Sequence, residues 1–455
     1  MNKEILIENV VSLFEAIIDT LNPTDKEKRI YRVIIPDFSI PNQIMSKRIK
    51  MQDYMNDINI NLPFLEKYSE FHILNDFINT NCELNRDLIE KLIVELFTYI
   101  LHICREKSCE KKIEKLVDFF YTDITKSPFI FHIKSYITGI SLEDEKYELA
   151  ENLSLRKANS LDFKCMDIGE YSNELNNYSF QFPPVILKFE YHSNINIENY
   201  QGYHRLPELL KELLFIDCAL LFFKSAPVFR IKTKSKFNSL LMRGETISGG
   251  NSPIKTSEKY TINKENIDDL KRVINLFQSQ KIRRIFEISP NKPNHINIAL
   301  NRYQNAYIYS ENVLQKITSL ISCLEALLSE GAQELKRRLS QRVSIVLKAI
   351  EFNPLIVSEE INIAYGIRNK YSHGGSINLK NIIKRNLNDF IRNLIEYTRL
   401  CFLISMQIYP LKSKREFLRL IDRSLLDENS YLELVKLIND NCYLVKDQNK
   451  TIWER

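Results

Sequence analysis

Apolar residues recur at three- and four-residue spacing at both ends of this chain and gather into β-favouring runs between them. Ile5 to Leu21 and Leu88 to Cys104 carry the helical spacing, with a less regular stretch from Arg32 to Asn61 between them. From about residue 126 the texture changes. FIFHIKSYITGISL, PPVILKFEYH and PVFRIKTKS are rich in β-favouring residues and predict strands. One helix is expected around Leu206 to Phe223; YELAENLSLRKAN fits strand or helix, and GETISGGNSPIKTSEKY reads as a loop. Helical spacing then returns. Helices are expected over Asn266–Gln278, Leu300–Glu330 with a break near Ser310, Glu334–Glu351, Ser358–Ser372 and Leu379–Tyr409, with two shorter pieces beyond and Gly331 and Pro354 as boundaries. The expected fold class is α+β, mostly α. An N-terminal helical region covers 1–125, a β-rich middle domain 126–262, and a C-terminal helical bundle 263–455.

Bulk properties exclude several alternatives. With 44% hydrophobic and 27% charged residues the chain can bury a large core, which argues against disorder. The most apolar run, Leu213 to Phe223, is interrupted by Asp217 and is too short to span a bilayer, so no membrane partner is expected. The N-terminus is amphipathic and acidic, unlike a signal peptide, and the eight cysteines have no framework spacing. Reduced core thiols and a cytoplasmic location are the expectation. His102, Cys104 and Cys109 lack a fourth ligand for zinc and are read as part of an apolar helix with buried thiols. P-loop, Rossmann and zincin motifs are missing, and no cofactor or metal is expected. His192 and His204 are read as surface or core residues. Tyr191 and Tyr200, with Lys188 nearby, are the nameable candidates for a base-stacking surface. From Asn301 to Leu400 there are 14 Lys/Arg against 9 Asp/Glu, a surplus equal to the +5 of the whole chain. A local basic excess is what a phosphate-rich partner requires.

In the C-terminal region three successive helices each bring an ionisable side chain to the apolar side. Leu314, Ile317, Ile321, Leu324 and Leu328 form a stripe with Glu325 at its edge. Leu335, Leu339, Val343, Val346 and Ile350 form the next, with Arg342 inside it, and Ile361, Ala364 and Tyr365 group with Arg368. A buried charge is costly unless paired, so Glu325 is expected to pair with Arg342 or Arg368.

The third of these helices runs into GIRNKYSHGG, Gly366 to Gly375. Two of the chain's ten glycines follow His373 directly. Glycines adopt the left-handed conformation that ends helices, so the helix should stop at about Ser372. On a continuing helix Arg368 and His373 would point about 140° apart; termination lets the imidazole turn back toward the guanidinium. The carbonyl end of a helix also favours a cationic side chain. The same pattern fits a histidine that only caps a helix before a glycine turn.

RNKYSHG resembles the R-N-x-x-x-H signature of the HEPN superfamily, with Arg368, Asn369 and His373 in the signature positions. The surroundings are similar to its ApeA-like branch. A segment of the type INIALNRYQNAY, an acidic helix SLISCLEALLSE, a basic helix ELKRRLSQRVSIVL and the signature occur in that order, covering about Ile296 to Asp427. The resemblance implies a helical bundle that is a homodimer, with two signature elements facing each other. It further implies a metal-independent endoribonuclease of abortive-infection, anti-phage or toxin type, acting on RNA, with tRNA a candidate. Some relatives of this kind instead bind nucleotide, RNA or a protein without catalysis. On the catalytic reading Arg368 stabilises charge, His373 transfers a proton and Asn369 orients the imidazole or donates to the phosphate. Glu325 and Arg342 support them. The N-terminal regions would sense a phage-derived or antitoxin trigger, or restrain the nuclease.

Overall fold

Strand formation in the middle of the chain follows from alternation. In β1 (Ile130–Thr138) Phe131, Ile133, Ser135 and Ile137 are buried on one face, while His132 and Lys134 point to the other. The computed structural model describes residues 1–20, 61–103, 110–159, 162, 185–194, 196, 207–237, 239–240, 246–248, 259–286, 294–308, 312–330 and 335–445.

Before β1 come α1 (Lys3–Thr20), α2 (Leu62–Leu65), α3 (Ser69–Asn81), α4 (Arg86–Ile103) and α5 (Glu110–Ile124). In α1, Leu6, Val10, Leu13, Phe14 and Ile17 form the buried stripe that its spacing predicts. The expected irregular stretch from Arg32 to Asn61 lies almost wholly outside the described residues. After β1 follow β2 (Ile140–Leu142), β3 (Lys146–Ala150), β4 (Leu153–Lys157), β5 (Val185–His192), α6 (Pro207–Phe223), β6 (Phe229–Phe237), β7 (Thr246–Ser248) and β8 (Tyr260–Ile262). Six strands form a sheet in the order β3-β4-β5-β1-β6-β7, each neighbouring pair antiparallel. β2 and β8 pair in parallel beside it. The ambiguous YELAENLSLRKAN is a hairpin, because Tyr147, Leu149, Leu153 and Leu155 alternate toward the core. Within the expected loop GETISGGNSPIKTSEKY, residues 246–248 form β7.

The rest is helical: α7 (Ile267–Gln278), α8 (Gln280–Ile285), α9 (His295–Ile308), α10 (Val313–Leu328), α11 (Leu335–Lys348), α12 (Pro354–Ser372), α13 (Leu379–Ile382), α14 (Leu387–Ile408), α15 (Lys414–Arg423) and α16 (Glu428–Asn441). Two expectations shift for local reasons. Helix α12 starts before Ser358, because Asn353 accepts from the N–H groups of Leu355 and Ile356 and Pro354 occupies the first turn. The single helix expected over Leu379–Tyr409 is two, since Asn386 accepts from the N–H groups of Asn388 and Asp389 and starts α14 afresh. The mostly α, α+β reading therefore agrees with the element content: helices at both ends and a sheet in the middle.

One apolar core runs through all three stretches. The end of α6 lies inside the C-terminal helices. Phe222 stacks on Phe402 with ring centroids 4.2 Å apart and on Tyr303 at 4.6 Å. Arg399 of α14 donates from Nη1 to the carbonyls of Phe222 (2.8 Å) and Phe223 (3.3 Å), and from Nη2 to that of Val445 (2.7 Å). Helix α14 is thereby fastened to the end of the middle-region helix. Among the described residues no helix is long and apolar enough to cross a membrane.

Candidate functional site at the end of helix α12

The two glycines close α12 by a Schellman motif. The N–H of Gly375 donates to the carbonyl of Lys370 (2.8 Å) and that of Gly374 to Tyr371 (3.1 Å). Each glycine has its own reason. Gly374 sits at φ 71°, where a side chain is strained, and a Cβ on Gly375 would come within 3.2 Å of the Lys370 carbonyl oxygen. His373 is the C-cap, its N–H donating to Asn369 at 3.1 Å. Its side chain is exposed. Among the described residues the imidazole has no hydrogen-bond partner and makes no bond to Arg368, so the turn-back expected within one chain is not formed.

One turn earlier, Arg368 is held from two sides. Nη2 donates to Glu325 Oε2 of α10 at 3.1 Å, and Nη1 donates to Asn369 Oδ1 at 3.0 Å. Of the two partners expected for Glu325, Arg368 is the one used. Tyr365 completes the group. The guanidinium lies 5.6 Å from its ring centroid, and burial, then the Glu325 charge, holds its phenol above the ordinary range. The pair is partly exposed: side-chain exposure is 28% for Arg368 and 17% for Glu325. A guanidinium has five N–H donors, and two hydrogen bonds leave part of the fork open toward solvent. Glu325 Oε1 is buried without a hydrogen-bond partner.

Arg342 stands apart from this group. Its Nε and Nη2 each bond Asp422 of α15 at 2.7 Å, and Nη1 donates to the Leu328 carbonyl at 2.8 Å. This last bond belongs to a set. The final carbonyls of α10 are taken in turn by the Ser329 N–H (Glu325), Lys414 Nζ (Ala326, 2.7 Å), Tyr409 Oη (Leu327, 2.5 Å) and Arg342 (Leu328). Arg342 thus supports Glu325 indirectly, by capping the helix that carries it. Sequence reasoning missed Asp422, Tyr409 and Lys414. They lie on other elements, and no spacing signal relates them to α10.

Other sequence candidates are dispersed. Lys188 and Tyr191 project to opposite faces of β5, and Tyr191 packs near Phe131 and Phe189 while donating to Glu208 at 3.2 Å; the two do not form one stacking surface. His192 is exposed and bonds Glu190 Oε1 at 2.8 Å. Tyr200, His204, Cys104, Cys109 and the His102 side chain lie outside the described residues. Burial pushes up the thiols of Cys218, Cys323, Cys401 and Cys442, which are unpaired and inert as nucleophiles. Among the described residues no three His, Cys, Asp or Glu side chains are grouped to hold a metal.

Comparison of the chain with protein-family models, with curated proteins and with solved structures gives no match in any of the three.

Proposed function

We propose that this chain is a metal-independent endoribonuclease of bacterial defence, abortive-infection or toxin type, built on a HEPN-type bundle and active as a homodimer. The observation that carries the reading is the last turn of α12. A guanidinium is anchored there by Glu325 and Asn369 with donors left over, and one turn later a glycine-closed end presents an exposed imidazole.

The chemistry follows from these groups. A base takes the proton of the ribose 2′-hydroxyl, O2′ bonds to phosphorus, the P–O5′ bond breaks, and an acid returns a proton to O5′. Negative charge on the phosphorane-like transition state is met by Arg368, whose planar fork suits two phosphate oxygens. His373 transfers a proton, and Asn369 and Glu325 keep the fork in place. One protomer supplies one such imidazole. A symmetric dimer brings two, enough for acid and base, so association can switch the activity. The attachment of α6 to α14 through Arg399 gives the middle region a mechanical route to the nuclease helices, which suits sensing of a trigger or restraint.

The test incubates purified protein and its His373→Ala variant with total RNA in the presence of a chelator. The parent should cut, leaving 2′,3′-cyclic phosphate ends, and the variant should lose at least about a hundredfold in rate, the scale of a proton-transfer group, with an unchanged melting curve. Equal rates for the two proteins sink the assignment. RNA that is bound but never cut identifies a binding module instead.

A further inference from the structure

Helix α15 carries a row of arginines that the fold does not answer. Arg415, Arg419 and Arg423 recur every four residues, so they follow one face of the helix over about 12 Å. All three are exposed, and none has a hydrogen bond or ion pair among the described residues. Like charges four apart on a helix repel each other. Several arginines elsewhere are paired: Arg156 with Asp162, Arg230 with Asp217, Arg283 with Glu212 and Arg385 with Glu360.

The acids beside the row are committed to other partners. Glu416 Oε2 accepts from the N–H (2.8 Å) and the hydroxyl (2.6 Å) of Ser413. Asp422 is held at both oxygens by Arg342 of α11. Asp427 Oδ2 accepts from the N–H (2.7 Å) and the hydroxyl (2.6 Å) of Ser430. Arg419 and Arg423 act on Glu416 and Asp427 only through space. The bond between Arg342 and Asp422 also brings α11 alongside. Its Arg338, one turn before Arg342, is exposed and likewise unpaired among the described residues. The junction of α11 and α15 lies at the end of α10 that holds the α12 site. Arg342 caps Leu328, and Glu325, three residues or about 4.5 Å of helix earlier, anchors Arg368.

Every exposed residue from Arg415 to Arg423 is charged, and the exposed leucines lie beyond the ends of the row, at Leu411, Leu425 and Leu426. A protein partner needs apolar or aromatic anchors at the centre of its interface, which this face does not offer. A phosphate backbone needs cations, and the arginine fork matches phosphate oxygens. We infer that the row Arg415–Arg419–Arg423 is a docking surface for the phosphate backbone of single-stranded RNA that extends from the α12 site. The choice of RNA rests on the nuclease reading of that site; the row itself acts by binding and takes no part in the chemistry.

Fluorescence anisotropy with a labelled uridine 20-mer tests it, using full-length His373→Ala protein so that RNA is not consumed, at about 50 to 200 mM KCl, the range over which phosphate contacts weaken. Arg415→Gln, Arg419→Gln and Arg423→Gln together should weaken binding at low salt at least about tenfold and flatten the plot of log affinity against log salt by about two. Arg419→Gln alone, at an exposed position, should flatten it by about 0.7, and the three lysine replacements should keep the slope. An unchanged affinity and slope in the triple glutamine protein, with its melting curve intact, overturns the inference. So does a parent that fails to bind the 20-mer, or that binds poly-glutamate as tightly, which would mark the row as a seat for an acidic protein. The outcomes separate the two readings. RNA cut by the parent and bound equally well without the row leaves the nuclease and removes the surface; RNA held through the row but never cut keeps the surface and removes the nuclease.

Discussion

The interior of α14 and the last turn of α12 each hold an arginine paired with a glutamate, and the two pairs are built for different ends. Arg399 and Glu396 are 0% and 1% exposed, and the guanidinium bonds both carboxylate oxygens (2.7 and 2.6 Å) and three backbone carbonyls. Ser225 also donates to Glu396. Nothing in that arrangement remains to be offered to a ligand. Arg368 makes one 3.1 Å bond to Glu325, keeps donors in hand and leaves Glu325 Oε1 without a partner. A fully satisfied buried pair holds elements together; a partly exposed, part-satisfied pair is how a cation is kept ready for an incoming anion.

The largest expected effect breaks the α14 side of this comparison. Arg399→Ala strands a buried carboxylate and three carbonyls, and urea unfolding should register a loss of about 3–5 kcal/mol. Unaltered stability would mean that this pair is not the fastening between α6 and α14.

A buried acid with no cation sharpens the comparison. Asp123 at the end of α5 is 0% exposed. Its Oδ2 accepts from the Leu240 N–H at 2.8 Å, Oδ1 has no partner, and burial pushes its pKa up to about 7. The folded state therefore holds this proton more tightly than the unfolded chain. Its contribution to stability is full below about pH 4, falls as pH rises, and is gone above about pH 7, a change on the order of 2–4 kcal/mol. Asp123→Asn should flatten that part of the stability–pH profile, measured by denaturation at several pH values.

The smallest expected stability change is at the candidate site. Arg368→Gln breaks a partly exposed pair and leaves the largely buried Glu325 carboxylate short of a partner, which should cost about 1–2 kcal/mol in urea unfolding. On the proposed reading it nonetheless abolishes RNA cleavage. A large loss of stability with cleavage retained would make Arg368 a second Arg399.

Much of this was legible because it is local. The helical stripes, the β-favouring runs and the stop after His373 depend on residues within a few positions of each other, and the structure shows α12 ending at Ser372. The Asn353 and Asn386 caps are local too, and a closer reading of Asn before a helical run would have found both starts. The choice of Arg368 over Arg342 for Glu325 was not legible. Both sit on apolar stripes, and the deciding fact is that Asp422, on a helix far along the chain, occupies Arg342. Likewise, the alternation of β1, β5 and β6 shows which residues share a face of each strand, but only the register sets Lys134 between Lys188 and Lys234.

The sequence alone determined where regular structure forms, where α12 must end and which side chains are ionisable on apolar faces, because those depend on periodicity and backbone sterics within a turn or two. Tertiary structure decided which charge meets which, which arginine stays partly open and how neighbouring strands are registered. Those outcomes depend on distances between elements remote in the chain, and on the burial that makes one ion pair a fastening and leaves another available.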